Sequence, residues 1–546
     1  MAATSGSVGY TPGAGRLVAG YVQDNTLFQS VVMHGQRDDT SVYPVAITPE
    51  GHLEAALHAP ALPFGSVHTE SLSVEFQADG VYGVSSTQSI QTTSGSGAIT
   101  GTNNLMKVAT GTTVGSYATI QSRKRLRYRP GQGVVGRFAG LFSQQVANCI
   151  SVAGFGTDES GCYFGYYNVG GSTSFGILHV TGGVREIRTL TVTTGSTATN
   201  NYNVALNGTT FNVTATNNAS TAKTAFEISQ GTFTGWTAQA IGSTVIFLAA
   251  QAGAKAGSFS LAQSGAATPA AGTFATTLAG VSATNTFVPQ SSWNGDKLDG
   301  TGPSGVTLDP TKGNVYQIGI QYLGFGVSEF FVEVNPSGNN ATFVLVHSLD
   351  FPNQRTSVAY SQPSFPFTVA AYSAGSTTDV SVSIGSYAGF VEGEKTLSGP
   401  RFSVDATSSA VAGTLIPLFT LKNNLTFGGR ANQAVARLVS FTAALNHTKP
   451  GKVVLVRNPV LNNTAAFTDL STGKSSCSVD TSATSLTTPT ADQKIYTIPL
   501  GTAGNAIIQF TDDNTLQPGE SIAVCAQVIS GTGADVTACL NIREDQ

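Results

Sequence analysis

The sequence predicts an all-β, multidomain fold: two β-sandwich, jelly-roll-like domains, a small ββαββ inserted module and an N-terminal β-hairpin region. Three observations predict it. Apolar residues recur at every second position in short runs, as in Tyr316, Ile318, Ile320 and Tyr322 and again in Phe330, Val332 and Val334, which is the period of a half-buried strand. Turn signals such as Asn207-Gly208, Asn335-Pro336-Ser337-Gly338 and Gln517-Pro518-Gly519 punctuate the runs. Charged residues make up only 11% of the chain, against 62 glycines and abundant Ser, Thr and Asn, a composition suited to sheets with uncharged polar outer faces.

A chain of 546 residues is long enough for roughly three to five domains with real cores. Residues 1–20 are Gly, Ser, Thr and Ala with little to bury, an arm that gains order by lying on a neighbour. In the N-terminal β region, 21–115, the run VYPVAITPEGHLEAALH (42–58) reads as a hairpin turning at Pro49–Gly51. Residues 116–186 and 287–395 share one alternating grammar and form a central, lectin-like sandwich. Between them, 187–286 reads as an insertion: Leu190 and Val192, then Tyr202, Val204 and Leu206, the Asn207-Gly208 turn, a helix capped by Ser220, and strands around Trp236 and Phe247. An Ala/Gly/Thr tether follows to about Thr286, and the ends of such an insertion must lie close together in the parent sheet. Seven strands between 402 and 546 make the second sandwich.

The charge stands out by its placement. Arg123, Arg125, Arg127 and Arg129 alternate along one strand, so they share a face, with Lys124, Leu126 and Tyr128 on the other. Such a guanidinium row wants an anionic partner: carboxylates of a neighbouring strand or subunit, or a glycan or nucleic acid. The net charge of −4 argues against a general polyanion binder, so no specific nucleic-acid partner is expected. No run approaches the ~18 apolar residues of a membrane helix, and the first residues lack a secretory signal pattern.

The searches for chemistry return little. His34, His52, His58, His68, His179, His347 and His447 are dispersed and read as structural or surface residues. Five cysteines form no zinc spacing, so neither a metal nor another cofactor is expected. Asn-x-Ser/Thr triplets, for example at Asn207 and Asn340, read as unmodified. Glu329 and Glu333 lie on one strand face in the manner of a glycosidase pair but lack a middle Asp. The loop Asn294–Gly300 offers oxygen ligands for calcium, yet Leu298 breaks the spacing and a plain turn fits better. In the terminal segment, a hairpin pairing Val528 with Val536 would set Cys525 opposite Cys539, as two facing thiols or a disulfide.

The runs TTVGSYATIQSRKRLRYRPGQGVVGRFAGLF, NGDKLDGTGPSGVTLDPTKGNVYQIGIQYLGFG and LQPGESIAVCAQVISGTGADVTACLNI resemble virion structural proteins of large DNA viruses and some tailed phages, over most of residues 115–546. The inserted module is similar to small β-rich repeats of phage tail and surface proteins, and residues 42–58 look like an N-terminal segment common in phage structural proteins. The resemblance implies a part of the capsid surface, a vertex or a fibre, assembled in the host cytoplasm, probed by no catalytic motif and therefore not an enzyme. The partners it implies are other copies of the chain, as a homotrimer, and other virion proteins. A host surface glycan is the alternative partner, with Tyr167 and Trp293 as candidate contacts if they line an open, concave site; a glycan-cleaving enzyme is the third reading.

Overall fold

In this computed structural model the described residues are the strands within 18–44 and residues 71–545, apart from 170–173, 217–219, 266–267, 336–340, 394–398, 411–412, 447, 463, 512–513 and 531–532. The chain divides into two compact units, Met1–Thr69 and Glu70–Gln546. In the first, Val18–Gln23 pairs with Thr26–Val31, and His34–Gln36 with Val42–Pro44, all antiparallel. The expected hairpin at 42–58 therefore contributes a strand that pairs backwards in sequence. Its remainder, like most of the expected arm at 1–20, lies outside the described residues.

The second unit is all-β apart from one α-helix and a 3-10 turn among its described residues. Its first layer pair is a sandwich of an eight-stranded and a seven-stranded sheet. The eight-stranded sheet is built around Val134–Phe142 and Ser381–Glu392, which pair antiparallel with each other. The seven-stranded sheet runs through Cys149–Gly156, Ser364–Ser373 and the arginine strand, Tyr117–Arg127. Alternation does the work here: Val134, Phe138 and Phe142 point inward and are buried, as are Tyr316, Ile318, Phe330 and Val332 from the neighbouring strands. Phe138 sits at the centre, its ring 5.1 Å from Tyr316 and 5.5 Å from Phe367. Gly136, on the same inward face, has to be glycine, because a Cβ there would lie 2.1 Å from the Phe155 ring.

This sandwich also takes in strands expected to belong to a separate N-terminal region. Leu72–Asp79, Ala98–Thr102 and Leu105–Ala109 join the eight-stranded sheet, and Ser89–Ser94 pairs with the arginine strand. The reason is edge satisfaction: each supplies a row of backbone partners to a strand that would otherwise be unpaired on that side.

The inserted segment leaves and returns at one place, since Thr181 pairs with Thr284 in the parent sheet and Val184 forms a bridge with Val281. It contains a four-stranded and a three-stranded sheet and the helix Thr221–Ser229. The Asn207-Gly208 turn closes the hairpin Tyr202–Leu206 with Thr209–Val213, both turn residues having positive φ, as a primed turn requires. The expected tether is different: Ala271–Leu278 is a strand that pairs with Arg185–Thr194. Its small Ala, Gly and Thr residues are mostly exposed and give little hydrophobic signal, while Phe274 and Leu278 on its inner face pack against the cores of the insertion.

The C-terminal sandwich packs a five-stranded against a six-stranded sheet. The terminal hairpin is corrected. Ser521–Val528 lies in the six-stranded sheet between Ile416–Asn423 and Gly451–Arg457, whereas Ala534–Asp545 lies in the five-stranded sheet between Arg401–Ala410 and Val435–Asn446. Their apolar faces, Ile522, Val524, Ala526 and Val528 on one and Val536, Ala538, Leu540 and Ile542 on the other, do meet, but across the core. Cys525 is thus paired with Pro417 and Val454, and Cys539 with Asp405 and Thr442. Both thiols are free.

Candidate functional site

The arginine strand faces the C-terminal sandwich. Arg123, Arg125 and Arg127 point away from Leu126, which is 1% exposed on the core side. The strand is irregular where the row begins. The Ser122 hydroxyl donates to the Lys124 carbonyl (2.6 Å) and accepts from the Phe367 amide (2.9 Å), bridging a register shift between Pro366 and Thr368. The shift leaves the odd-numbered arginines on one face.

Their partners are reciprocal. Arg127 Nε lies 3.6 Å from Asp545 Oδ1, Arg129 Nη2 3.4 Å from Asp545 Oδ2, and Arg437 Nη2 3.8 Å from the same oxygen. Arg437, from the C-terminal sandwich, also reaches back to Glu75 of the central one (3.4 Å). Arg125 and Arg127 donate to the side-chain and backbone oxygens of Gln433 at 3.2 and 3.3 Å. Arg123 is peripheral, donating to Ser86 O and lying 3.6 Å from Glu520. Burial pulls the Arg125 guanidinium down to about 10, Arg185 adding to the effect and Glu159 opposing it; it stays charged at neutral pH. Burial also lowers Arg127, with Asp545 opposing.

The row is therefore a seam between the two sandwiches, and its anionic partners are carboxylates of the same chain. Chemically, the arrangement can clamp: one carboxylate pairs with three guanidiniums, accepting a hydrogen bond from Arg129, in a site only 6% exposed, where charge pairing is screened far less than at a surface. A second clamp sits at the root of the insertion. Arg185 lies 2.8 Å from Asp158 and 3.2 Å from Glu159, and the same carboxylates accept the amides of Ala252 and Arg185. The insertion also rests on the C-terminal sandwich: the Gly242 amide donates to Phe467 O (2.7 Å), Leu425 N donates to Gln239 Oε1 (2.7 Å), and Phe226 stacks on Phe467.

The two candidate glycan contacts do not form a site. Trp293 is 2% exposed and packs edge-on against Phe164 and Phe175 inside the central core, which corrects the expectation for it. Tyr167 is half-buried against Phe287, its hydroxyl accepting from Asn285. The Glu329 and Glu333 side chains share the outer face of Ser328–Val334. Four residues of extended strand separate them by about 13 Å, beyond the ~5–9.5 Å of glycosidase pairs. In the loop Asn294–Gly300, Asp296 accepts the amides of Leu298 (2.9 Å) and Ser304 (2.7 Å), and Asp299 holds Thr301; these carboxylates cap turns, and Leu298 is core.

Sequence reasoning missed Asp545, Glu75 and Arg437. The strand end Arg543-Glu544-Asp545 carried a usable signal, a charge cluster in a chain otherwise poor in charge.

No family model matches the chain, and no curated protein matches it. Among solved structures, it is similar to a GH43 glycoside hydrolase engineered to display both endo-xylanase and exo-arabinofuranosidase activity, at 10% identity and a TM-score of 0.23, over 68% of this chain and 51% of that one. The chain thus spans about half the length of that enzyme. It is also similar to the Faustovirus major capsid protein, at 8% identity and a TM-score of 0.10, over 88% and 92% of the two chains. At such TM-scores neither likeness carries weight for fold or function.

Proposed function

We propose that this chain is a structural protein of a virus particle, a component of its capsid surface, vertex or fibre, used as a repeated subunit in homotrimers. It is assembled in the host cytoplasm and acts without catalysis. The sequence runs quoted above motivate the reading. The observation that supports it best is the seam: Asp545 gathering Arg127, Arg129 and Arg437 while Arg437 returns to Glu75. With the insertion docked on the C-terminal sandwich, these contacts tie the two sandwiches and the insertion to one another, which suits a repeated building unit.

The outer face of the five-stranded sheet suits packing against other copies or other virion proteins. Thr407 and Thr537 share a hydrogen bond of 2.8 Å there, Ser409 donates to Asp535, and Asn541 to Ser440, a surface of short polar groups that loses little side-chain entropy on burial. Native mass spectrometry of the full chain across a concentration series tests the reading. A trimer is expected; a monomer at every concentration counts against it.

A further inference from the structure

An open trough of about 780 Å3 runs along the outer face of the eight-stranded sheet, within the ~300–1,000 Å3 range of small-molecule clefts. Its floor is low because small residues, Ser386, Ala388 and Ala139, line its middle. Ser386 is registered between Asp79 and Ala139, and Ala388 between Gln77 and Arg137. One rim carries Tyr82, 98% exposed on the turn Gly80–Gly83, a large aromatic surface left in water with no packing role.

Opposite it stands Arg137, and this side chain is held unusually well. Its guanidinium lies 5.1 Å from the Phe343 ring centroid and 5.7 Å from that of Phe390, and Nε donates to Gln317 Oε1 at 2.6 Å. Two cation–π contacts and one hydrogen bond fix the planar fork in advance, so little rotamer freedom is lost when it receives a ligand. Gln77, Gln88, Ser85 and Ser386 add neutral donors and acceptors to the lining, and the one carboxylate among the lining residues, Asp79, accepts the Val81 amide at 3.0 Å. None of the seam arginines takes part.

We propose that this trough binds a saccharide bearing a carboxylate, with the Arg137 fork receiving the carboxylate and the Tyr82 ring receiving the apolar face of a sugar ring. The amides and hydroxyls of the floor and rim suit sugar hydroxyls, and a guanidinium fork matches a carboxylate in a bidentate way. Glu333 is close enough to act electrostatically on Arg137, so part of its charge is already balanced and the affinity of a single site is modest. Repetition of the subunit would raise it through avidity, but the binding site itself does not depend on the virion reading.

The test uses the full chain with sialyllactose and a hyaluronan tetrasaccharide as acidic probes and lactose as the neutral one, read by saturation-transfer NMR and calorimetry. An acidic probe binds, and lactose at least about tenfold more weakly, the lower end for a charge-assisted hydrogen bond. Arg137→Gln costs a similar factor, and Ser386→Trp, which fills the trough from an exposed position, abolishes binding with an unchanged far-UV circular dichroism spectrum and thermal unfolding midpoint. Four results would overturn the proposal: no binding of either acidic probe at about 10 mM, equal binding of lactose, binding retained in Ser386→Trp, or loss of the oligomer in that variant, which would make the trough a subunit contact.

Discussion

Replacing Asp545 with Asn removes the one negative charge that Arg127, Arg129 and Arg437 share, while keeping the side chain's size. All three guanidiniums lie at 3.4–3.8 Å from the carboxylate, longer than the ~2.7–2.9 Å of charge-assisted hydrogen bonds. The loss therefore belongs near the lower end of the ~3–5 kcal/mol seen when one member of a buried pair is removed. Arg437 keeps Glu75, and Arg127 keeps Gln433, which limits the damage further. About 3 kcal/mol in a domain the size of the C-terminal sandwich corresponds to a drop in its unfolding temperature of roughly 6–12 °C. Differential scanning calorimetry should show the C-terminal transition separating from the rest. Hydrogen exchange should speed up in Tyr117–Arg127 and Val435–Asn446, and stay unchanged in the insertion. The double variant Arg127→Met with Asp545→Asn should cost less than the sum of the singles, because the two share one interaction. A shift below about 1 °C with unchanged exchange at both strands would refute the idea that this carboxylate joins the sandwiches.

Three further outcomes follow from the structure. His179 is 1% exposed beside Phe351 and Tyr360, and burial, with Arg355 adding to it, lowers its proton affinity to about 4; since an unfolded histidine titrates near ~6.5, stability should fall as pH drops from about 6.5 to about 4, by roughly 3 kcal/mol, then level off. Denaturant midpoints measured against pH should show that component vanish in His179→Gln, and an unchanged difference would contradict it. Deleting residues 182–283 and bridging Thr181 to Thr284 with a short Gly-Ser link should leave the central sandwich folded, by the near-UV signal of Trp293, while exchange rises around Phe467, which loses its stacking on Phe226; collapse of the central signal would mean that the insertion is part of that sheet's stability. Under native conditions, Cys539, partly exposed with its Sγ 3.1 Å from Ser403 Oγ, should react with a thiol reagent well before Cys525, which is buried and whose thiol is pushed up by that burial. Equal reactivity of the two thiols, or an intact mass lower by two hydrogen atoms, would contradict it.

Strand identity was legible in the sequence because alternation is a local property. Tyr316, Ile318 and Ile320 beside Phe330 and Val332 form an antiparallel pair with a shared inward face, as their spacing implies. Which sheet a strand joins is not local. The apolar faces of Ser521–Val528 and Ala534–Asp545 match equally well side by side or across a core, and only the strands that flank each one, Ile416–Asn423 and Val435–Asn446 among them, decide between the two. The tether was illegible for another reason: in Ala271–Leu278 only Phe274 and Leu278 supply apolar side chains to the inward face, too sparse to stand out among Ala, Gly and Thr, although Phe274 packs against Phe247 and Phe259 and the strand pairs with Arg185–Thr194. The seam was half legible. The arginine row predicted carboxylate partners, but Glu75 and Asp545 stand 48 residues before Arg123 and 416 after Arg129, separations that no spacing rule spans. Trp293 shows the opposite failure, since a tryptophan in a polar loop reads as a surface contact until the Phe164 and Phe175 rings are seen to enclose it.

The measurement that bears most directly on the function proposed for this chain is to purify virus particles from cells that produce it and to solve a cryo-EM map of those particles. The account predicts density for both sandwiches and the inserted lobe in symmetry-related copies at the capsid surface, a vertex or a fibre, each block joined along the Arg127–Asp545 seam. Particles whose shell and appendages are fully accounted for by other chains, with this protein remaining in the soluble fraction, would contradict it.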